Sequence, residues 1–439
     1  MSHPLLTAPL GPALWRLAGP TTAFMLVQVG VAIAETWIVG RLGTDALAGF
    51  VLVVPFMALM FNMANGGMGG AVASALARAL GAGRLEDARV LMLHALLVGW
   101  ALALVFMALG WTTLPLLFRL MGGSGSALAA ALSFSNWFFA AAVLVWPSCF
   151  LAALLRGAGD TVTPSRIGVG TSFVYVALSL VLAPRLGLVG LVIAGVTGTT
   201  ISLALQVRAI RRGRLGFIPS IAGVRLRGRL FGEILRVGLL GSASTPAAVL
   251  TAVLVTGLVG RFGTAALAGY GIGMRLEFML APLAFAIGTG LTTLVGVAAG
   301  AGNWRRANRA AWLGGLVAFL LIGSAGAAVA LMPQMWSRIF TSDPGVIAAS
   351  VACLTRVAPF HCMFGLGLTL YFASQGAGRM TVPFSASILR MIAATGGGWC
   401  AIEILGWGLD GVFAAIAASL VAYGGLIAGA LFVRPWRAR

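Results

Sequence analysis

Lysine is absent from this 439-residue chain, and acids are scarce: ten Asp and Glu stand against 29 basic residues, every one of them Arg. Charged residues make up 9% of the sequence, where a soluble globular protein carries about 25%. That deficit excludes a soluble domain. Without Lys there is no GxxxxGK[ST] phosphate loop, so ATP hydrolysis by that motif is excluded as well. Three histidines (His3, His94, His361) show no HExxH spacing, and Cys149, Cys353, Cys362 and Cys400 sit singly in apolar runs with no CxxC. Neither a metal centre nor a disulfide framework is expected from them. GAGD at 157–160 matches the GxGD of intramembrane aspartyl proteases, but no second membrane Asp exists to share a water. Asp160 is expected to cap a helix instead. The chain reads as a non-enzyme.

What is present is apolar. Hydrophobic residues reach 60% and the mean hydropathy is +1.02. A membrane-spanning helix needs about 20 such residues. Twelve segments are predicted, at 18–39, 46–73, 89–111, 127–155, 164–183, 187–207, 233–258, 266–297, 308–332, 346–374, 382–404 and 411–433. The fold class is therefore all-α, a polytopic membrane protein of about 12 transmembrane helices. The N-terminus has no basic n-region and no short apolar core before a cleavage site, so the first segment is expected to stay.

The arginines sort by loop. With the N-terminus inside, 21 fall on inner loops and ends and five (Arg41, Arg119, Arg185, Arg261, Arg338) on outer ones. The positive-inside rule then predicts both termini in the cytoplasm. The charge reads as topology, and no nucleic-acid partner is expected. An all-Arg basic set also fits GC-rich bacterial coding, which points to a bacterial inner membrane.

The sequence repeats itself. VGRLGTDALAGF at 39–50 matches VGRFGTAALAGY at 259–270 in nine of twelve positions. RGAGDTVTP at 156–164 pairs with QGAGRMTVP at 375–383, and LGAGRLEDA at 80–88 with AGAGNWRRA at 299–307. The offset is half the length, and each half holds six segments. An even number returns the chain to its starting side, so two parallel six-helix repeats are predicted, the architecture of secondary transporters. The expected division is 1–212 for the first lobe, 213–232 for a basic cytoplasmic linker and 233–439 for the second lobe.

Only three acids fall inside segments: Glu35, Glu277 and Glu403. A carboxylate in hydrocarbon is costly unless it pairs or takes up a proton, so such residues are functional candidates. Glu35 lies five residues before Gly40, about 7.5 Å below the outer end of its helix. Gln28 is two turns earlier on the same face, and no base is near in sequence. Glu35 is expected to exchange the coupling ion; a plain hydrogen bond between helices is the alternative. Three bases are also intramembrane: Arg275, Arg356 and Arg390. With Glu277 and Glu403 they are expected to form an ion-pair network, although a proton or cationic ligand could compete with an Arg for Glu277. Asn62, Asn65 and Asn136, with Gln28 and Glu277, are the candidate cavity residues; helix-to-helix hydrogen bonding explains the asparagines equally well.

The segments ETWIVGRLGTDALAG, GAGRLEDA, RGAGDTVTP and RFGTAALAGYGIGMRLEFMLAPLAFAIGTGLTTLVGVAAGAGN together resemble the multidrug and toxic compound extrusion (MATE) family over nearly the whole chain. The resemblance is closest to its proton-coupled, DinF-like branch. It implies an exporter of organic cations or amphipathic compounds, driven by H+ or Na+ flowing inward, without another cofactor. The family's first-helix acid, usually Asp in Asp-Thr-x-x-x-Gly-x-x-Gly, falls on Glu35, one methylene longer. A second Asp with its Asn in some proton-coupled relatives would fall on Ala183 and Ser179, so that acid is missing. Sodium-coupled relatives use acids in helices 7 and 10. Segment 10 has none and segment 7 has only Glu233 at its inner end, which favours protons. The expected function is cation-coupled antiport by alternating access. Its rivals are a flippase for a lipid-linked precursor, which would want a cavity rich in unpaired Arg, and a scaffold or receptor that transports nothing.

Overall fold

A computed structural model describes residues 4–219 and 225–437. His3, Arg439 and positions 220–224 of the basic linker lie outside the described residues. Seventeen α-helices carry the described chain: α1 (Leu10–Gly40), α2 (Thr44–Asn62), α3 (Met68–Gly81), α4 (Leu85–Thr112), α5 (Leu114–Leu120), α6 (Gly125–Ala140), α7 (Ala142–Gly157), α8 (Val162–Leu186), α9 (Leu188–Arg211), α10 (Gly228–Gly260), α11 (Thr264–Gly300), α12 (Trp304–Leu331), α13 (Pro333–Arg338), α14 (Pro344–Val357), α15 (His361–Gly376), α16 (Thr381–Glu403) and α17 (Gly408–Val433). No strand is present among the described residues.

Among the described residues ten spans are long and apolar enough to cross a bilayer, two of them made of helices that run on from one another (α2 with α3, α14 with α15). The pair α6 and α7, bent by 49° at Ala141, makes an eleventh. The remaining expected segment, 382–404, is the 23-residue helix α16. The chain is a multi-pass membrane protein, and large apolar side chains such as Trp15, Leu331 and Phe432 stand exposed on it, as a lipid-facing surface requires.

The repeated glycine motifs are helix stops. In each of the four GAG runs the last Gly takes a left-handed backbone: Gly83, Gly159, Gly302 and Gly378 have φ of 70°, 91°, 73° and 72°. The residue after each donates its N–H five positions back: Arg84 to Ala79, Asp160 to Leu155, Asn303 to Ala298 and Arg379 to Ser374, at 2.9–3.0 Å. This is the Schellman stop, which ties up carbonyls left over at a helix end and needs a residue without Cβ. Asp160 then starts α8, its carboxylate accepting from the Thr163 N–H (2.9 Å) and hydroxyl (2.6 Å).

Two compact units emerge. One is Gly19–Gly238; the other joins Met1–Ala18 to Leu239–Arg439. Within each, the repeat places glycines at the same crossings. A Cβ on Gly49 would meet Ala130 and Ala131, and one on Gly269 would meet Ala349 and Ser350. Gly157 lies against the backbone of Ala73, and Gly376 against that of Thr292. Both members of each pair differ by the sequence offset, so the duplication is a duplication of packing.

The duplicated third position of α4 and α12 departs in charge but not in task. Asp87, nearly buried, accepts from Arg84 (3.2 Å), Arg227 (2.8 Å) and Arg229 (2.5 Å). His94 adds an acceptor at Nε2 for the Arg227 N–H, 2.9 Å away. Its counterpart Arg306 donates to the carbonyls of Leu5 (3.0 Å) and Ala8. Each unit thus clamps the segment leading into α10 or α1. The three guanidiniums around Asp87 are 37–53% exposed, so solvent screens each pair, and Asp87→Ala is expected to cost about 1–2 kcal/mol. The difference in unfolding midpoint from wild type should shrink between low and high salt; an equal difference at both would show that packing, not charge, holds the clamp.

Candidate functional site

Glu35 sits on the last turns of α1 and faces α8 within the first unit. Its carboxylate accepts a short hydrogen bond from the hydroxyl of Tyr175. Two turns earlier, Gln28 accepts at Oε1 from Ser172 Oγ at 3.3 Å. A turn before that, the Phe24 ring lies where a Cβ on Gly168 would be. Phe24, Gln28 and Glu35 therefore form one stripe, met by Gly168, Ser172 and Tyr175. The absence of a side chain at Gly168 lets the two helices close up. Ser179 and Ala183 lie fully buried further along α8.

The partner is what matters chemically. Among the described residues no Arg pairs with Glu35. A phenol is neutral well above physiological pH, so Tyr175 orients the carboxyl without cancelling its charge. A carboxyl so held can take or release a proton and keep its hydrogen bond through either state. Tyr175 was not singled out from the sequence. The available signal was rarity: the chain has four Tyr, one of them beside Glu35 and two, Tyr270 and Tyr423, beside Glu277 and Arg390.

The candidate asparagines are not brought to Glu35 by any hydrogen bond. Asn62 is exposed at the end of α2, and Asn65 is half-buried in a π turn, Met63–Gly67, donating to the Phe61 carbonyl at 3.2 Å. Three residues apart, Asn62 and Asn65 would share a face of an unbroken α-helix, and the wider turn between them removes that spacing. The side chain of Asn136 is exposed, while its carbonyl accepts from Trp111 Nε1 at 3.1 Å.

The single network expected of Arg275, Arg356, Arg390, Glu277 and Glu403 does not form. Only Arg390 and Glu277 meet, at 2.7 Å and largely buried. Arg356 pairs with Asp410 and Glu403 with Arg261, each at 2.7 Å. Arg275 is exposed and lies over the Phe340 ring, 4.7 Å from its centre. Asp410 lies just outside a predicted segment and Arg261 on an outer loop, so neither stands out in the sequence as a partner for an intramembrane charge. Arg side chains are long enough to run along a helix and reach such positions. Among the described residues no three His, Cys, Asp or Glu converge as a metal site would require.

The profile of the MatE family matches residues 20–181 and 247–399. The "FAD transporter" of Shewanella oneidensis is 26% identical over 391 residues, covering 85% of this chain and 83% of the relative. A "Probable multidrug resistance protein NorM" of Deinococcus radiodurans is 29% identical over 457 residues, covering 96% and 95%. A solved MOP superfamily transporter from Pyrococcus furiosus superposes with a TM-score of 0.90 at 22% identity, covering 98% of this chain and 97% of that one.

Proposed function

The chain belongs to the MatE family, a family of transporters and not of enzymes, and on that premise we propose that it exports cationic or amphipathic compounds across the bacterial inner membrane by antiport against protons. The lobes of the cycle are the two compact units, Gly19–Gly238 and Leu239–Arg439 with Met1–Ala18, in place of a division at the basic linker 213–232, and both termini lie in the cytoplasm. Glu35 is the coupling carboxyl. The observation that carries this reading is its pairing: an intramembrane acid held by a neutral phenol, with no permanent counter-ion among the described residues. A proton arriving from outside neutralises Glu35 and favours release of a bound cation; loss of that proton to the cytoplasm resets the site. One proton moving down 100 mV supplies about 2.3 kcal/mol, to which the pH difference adds.

The name of the Shewanella relative favours a second reading, export of a flavin dinucleotide, an anion. The two separate in everted vesicles. Ethidium uptake driven by a pH gradient alone, unaffected by a sodium gradient alone, supports proton-coupled cation export. Uptake driven only by sodium removes the proton. Flavin dinucleotide uptake with no ethidium uptake replaces the substrate class.

A further inference from the structure

Arg390 is seated as a ligand would be. Its Nη2 donates to Glu277 Oε1 at 2.7 Å, and its guanidinium carbon lies 5.2 Å from the centre of the Phe364 ring and 5.8 Å from that of Tyr423. Four helices of the second unit, α11, α15, α16 and α17, each give one of these groups. An acid with aromatic faces around it is how proteins bind organic cations, because ring quadrupoles attract positive charge within about 6 Å of the centroid. The side chains of Arg390 and Glu277 are only 19% and 14% exposed, so the pair is withdrawn from solvent.

Beside the pair lies a narrow recess, bordered by Glu277, Tyr270, Met274, Cys353, His361 and Ile416. The break in the tenth segment builds one wall. Pro359 interrupts the helix between Val357 and His361, and a short 3-10 turn, Ala358–Phe360, takes its place. His361 is thereby turned inward, 2% exposed, with Nδ1 3.2 Å from the Ala358 carbonyl. That contact makes Nδ1 the N–H donor and leaves Nε2 an acceptor, and this buried nitrogen has no hydrogen-bond partner among the described residues. An unused acceptor at the edge of a carboxylate site suits a ligand with more N–H groups than the one Arg390 spends on Glu277.

We propose that Glu277, Phe364 and Tyr423 form a cation subsite for guanidinium- or amidinium-type compounds, and that Arg390 is its built-in occupant, displaced when such a compound binds. Arg cannot give up its charge, and Glu277 cannot stay buried without a cation. Exchange of one cation for another keeps Glu277 neutralised, and the displaced Arg390 guanidinium, already 19% exposed in the pair, turns out to solvent. The subsite rests on the cation-export reading above for its role, though not for its existence.

Binding of methylguanidinium to the full-length protein in lipid nanodiscs tests it, by calorimetry and by the unfolding midpoint, with tetramethylammonium as the cation lacking N–H donors. Arg390→Ala is expected to bind methylguanidinium at least tenfold more tightly than wild type and to gain thermal stability as its concentration rises. Glu277→Gln combined with Arg390→Ala should show neither effect, and Phe364→Leu added to Arg390→Ala should weaken binding severalfold. If Arg390→Ala does not fold, Arg390→Gln keeps much of the volume and carries the same expectation. Equal affinity in wild type and the Arg390 variant overturns the proposal, as does tight binding that survives Glu277→Gln or fails to distinguish the two probes. Export itself is scored separately by ethidium uptake: uptake without methylguanidinium binding sinks the subsite alone, and binding without uptake sinks the export reading alone.

Discussion

Glu35→Gln is expected to reduce pH-gradient-driven ethidium uptake to background, a loss of at least about tenfold, while the purified protein stays folded. Gln matches Glu in length and still offers an oxygen to the Tyr175 hydroxyl, so the contact between α1 and α8 survives. What it cannot do is change charge. A transporter coupled through this carboxyl loses its link to the proton gradient and keeps downhill exchange of substrate. Tyr175→Phe separates orientation from proton exchange. It removes a hydrogen bond to a charged acceptor, worth about 1.5–3 kcal/mol, but leaves the carboxyl able to titrate. Reduced, still gradient-dependent uptake is expected there. Glu35→Asp shortens the reach by one methylene and should fall between wild type and Gln. Undiminished uptake by Glu35→Gln under a pH gradient alone would take Glu35 out of the mechanism.

Gly157→Ala and Gly376→Ala should each sharply lower the yield of monodisperse protein. In both cases the new Cβ would point into backbone and not into a side chain that could swing away. It would lie 2.5 Å from the Ala73 carbonyl oxygen in the first unit and 2.6 Å from that of Thr292 in the second. Overpacking typically costs about 1–3 kcal/mol, and a clash with a helix backbone belongs at the upper end because two helices must move apart. Gly30→Ala and Gly257→Ala are the controls. Both are helical and meet nothing within 4 Å, so stability should hold or rise by up to about 1 kcal/mol from helix propensity. Thermal unfolding in nanodiscs compares the four. Equal behaviour of the crowded and the open positions would mean that these crossings are not tight.

The two sets of predictions draw on different layers of information. The helical membrane architecture was legible because it depends on composition and run length, which are one-dimensional. The duplication was legible for the same reason, and the glycines that carried it proved to be helix stops and close crossings, both of which demand a missing Cβ. Glu35 could be found as well, since an acid in an apolar run stands out without knowledge of its neighbours. The partners could not. Tyr175 is 140 residues away from Glu35, and Arg390 is 113 from Glu277. Those pairings are set by which helix faces meet, a property of packing.

The π turn at Met63–Gly67 and the bend at Ala141 likewise left no unambiguous mark in the residue pattern, because each answers to neighbouring helices. The sequence alone determined the solvent this protein lives in, the number of times it crosses, its internal duplication and the scarcity of acids within its apolar segments. Tertiary structure alone decided which of those charges are neutralised: Glu277 by a guanidinium, Glu403 by another, and Glu35 by none among the described residues. Burial makes an unpaired charge expensive whatever the fold, but only three-dimensional proximity determines whether a partner is there to relieve it.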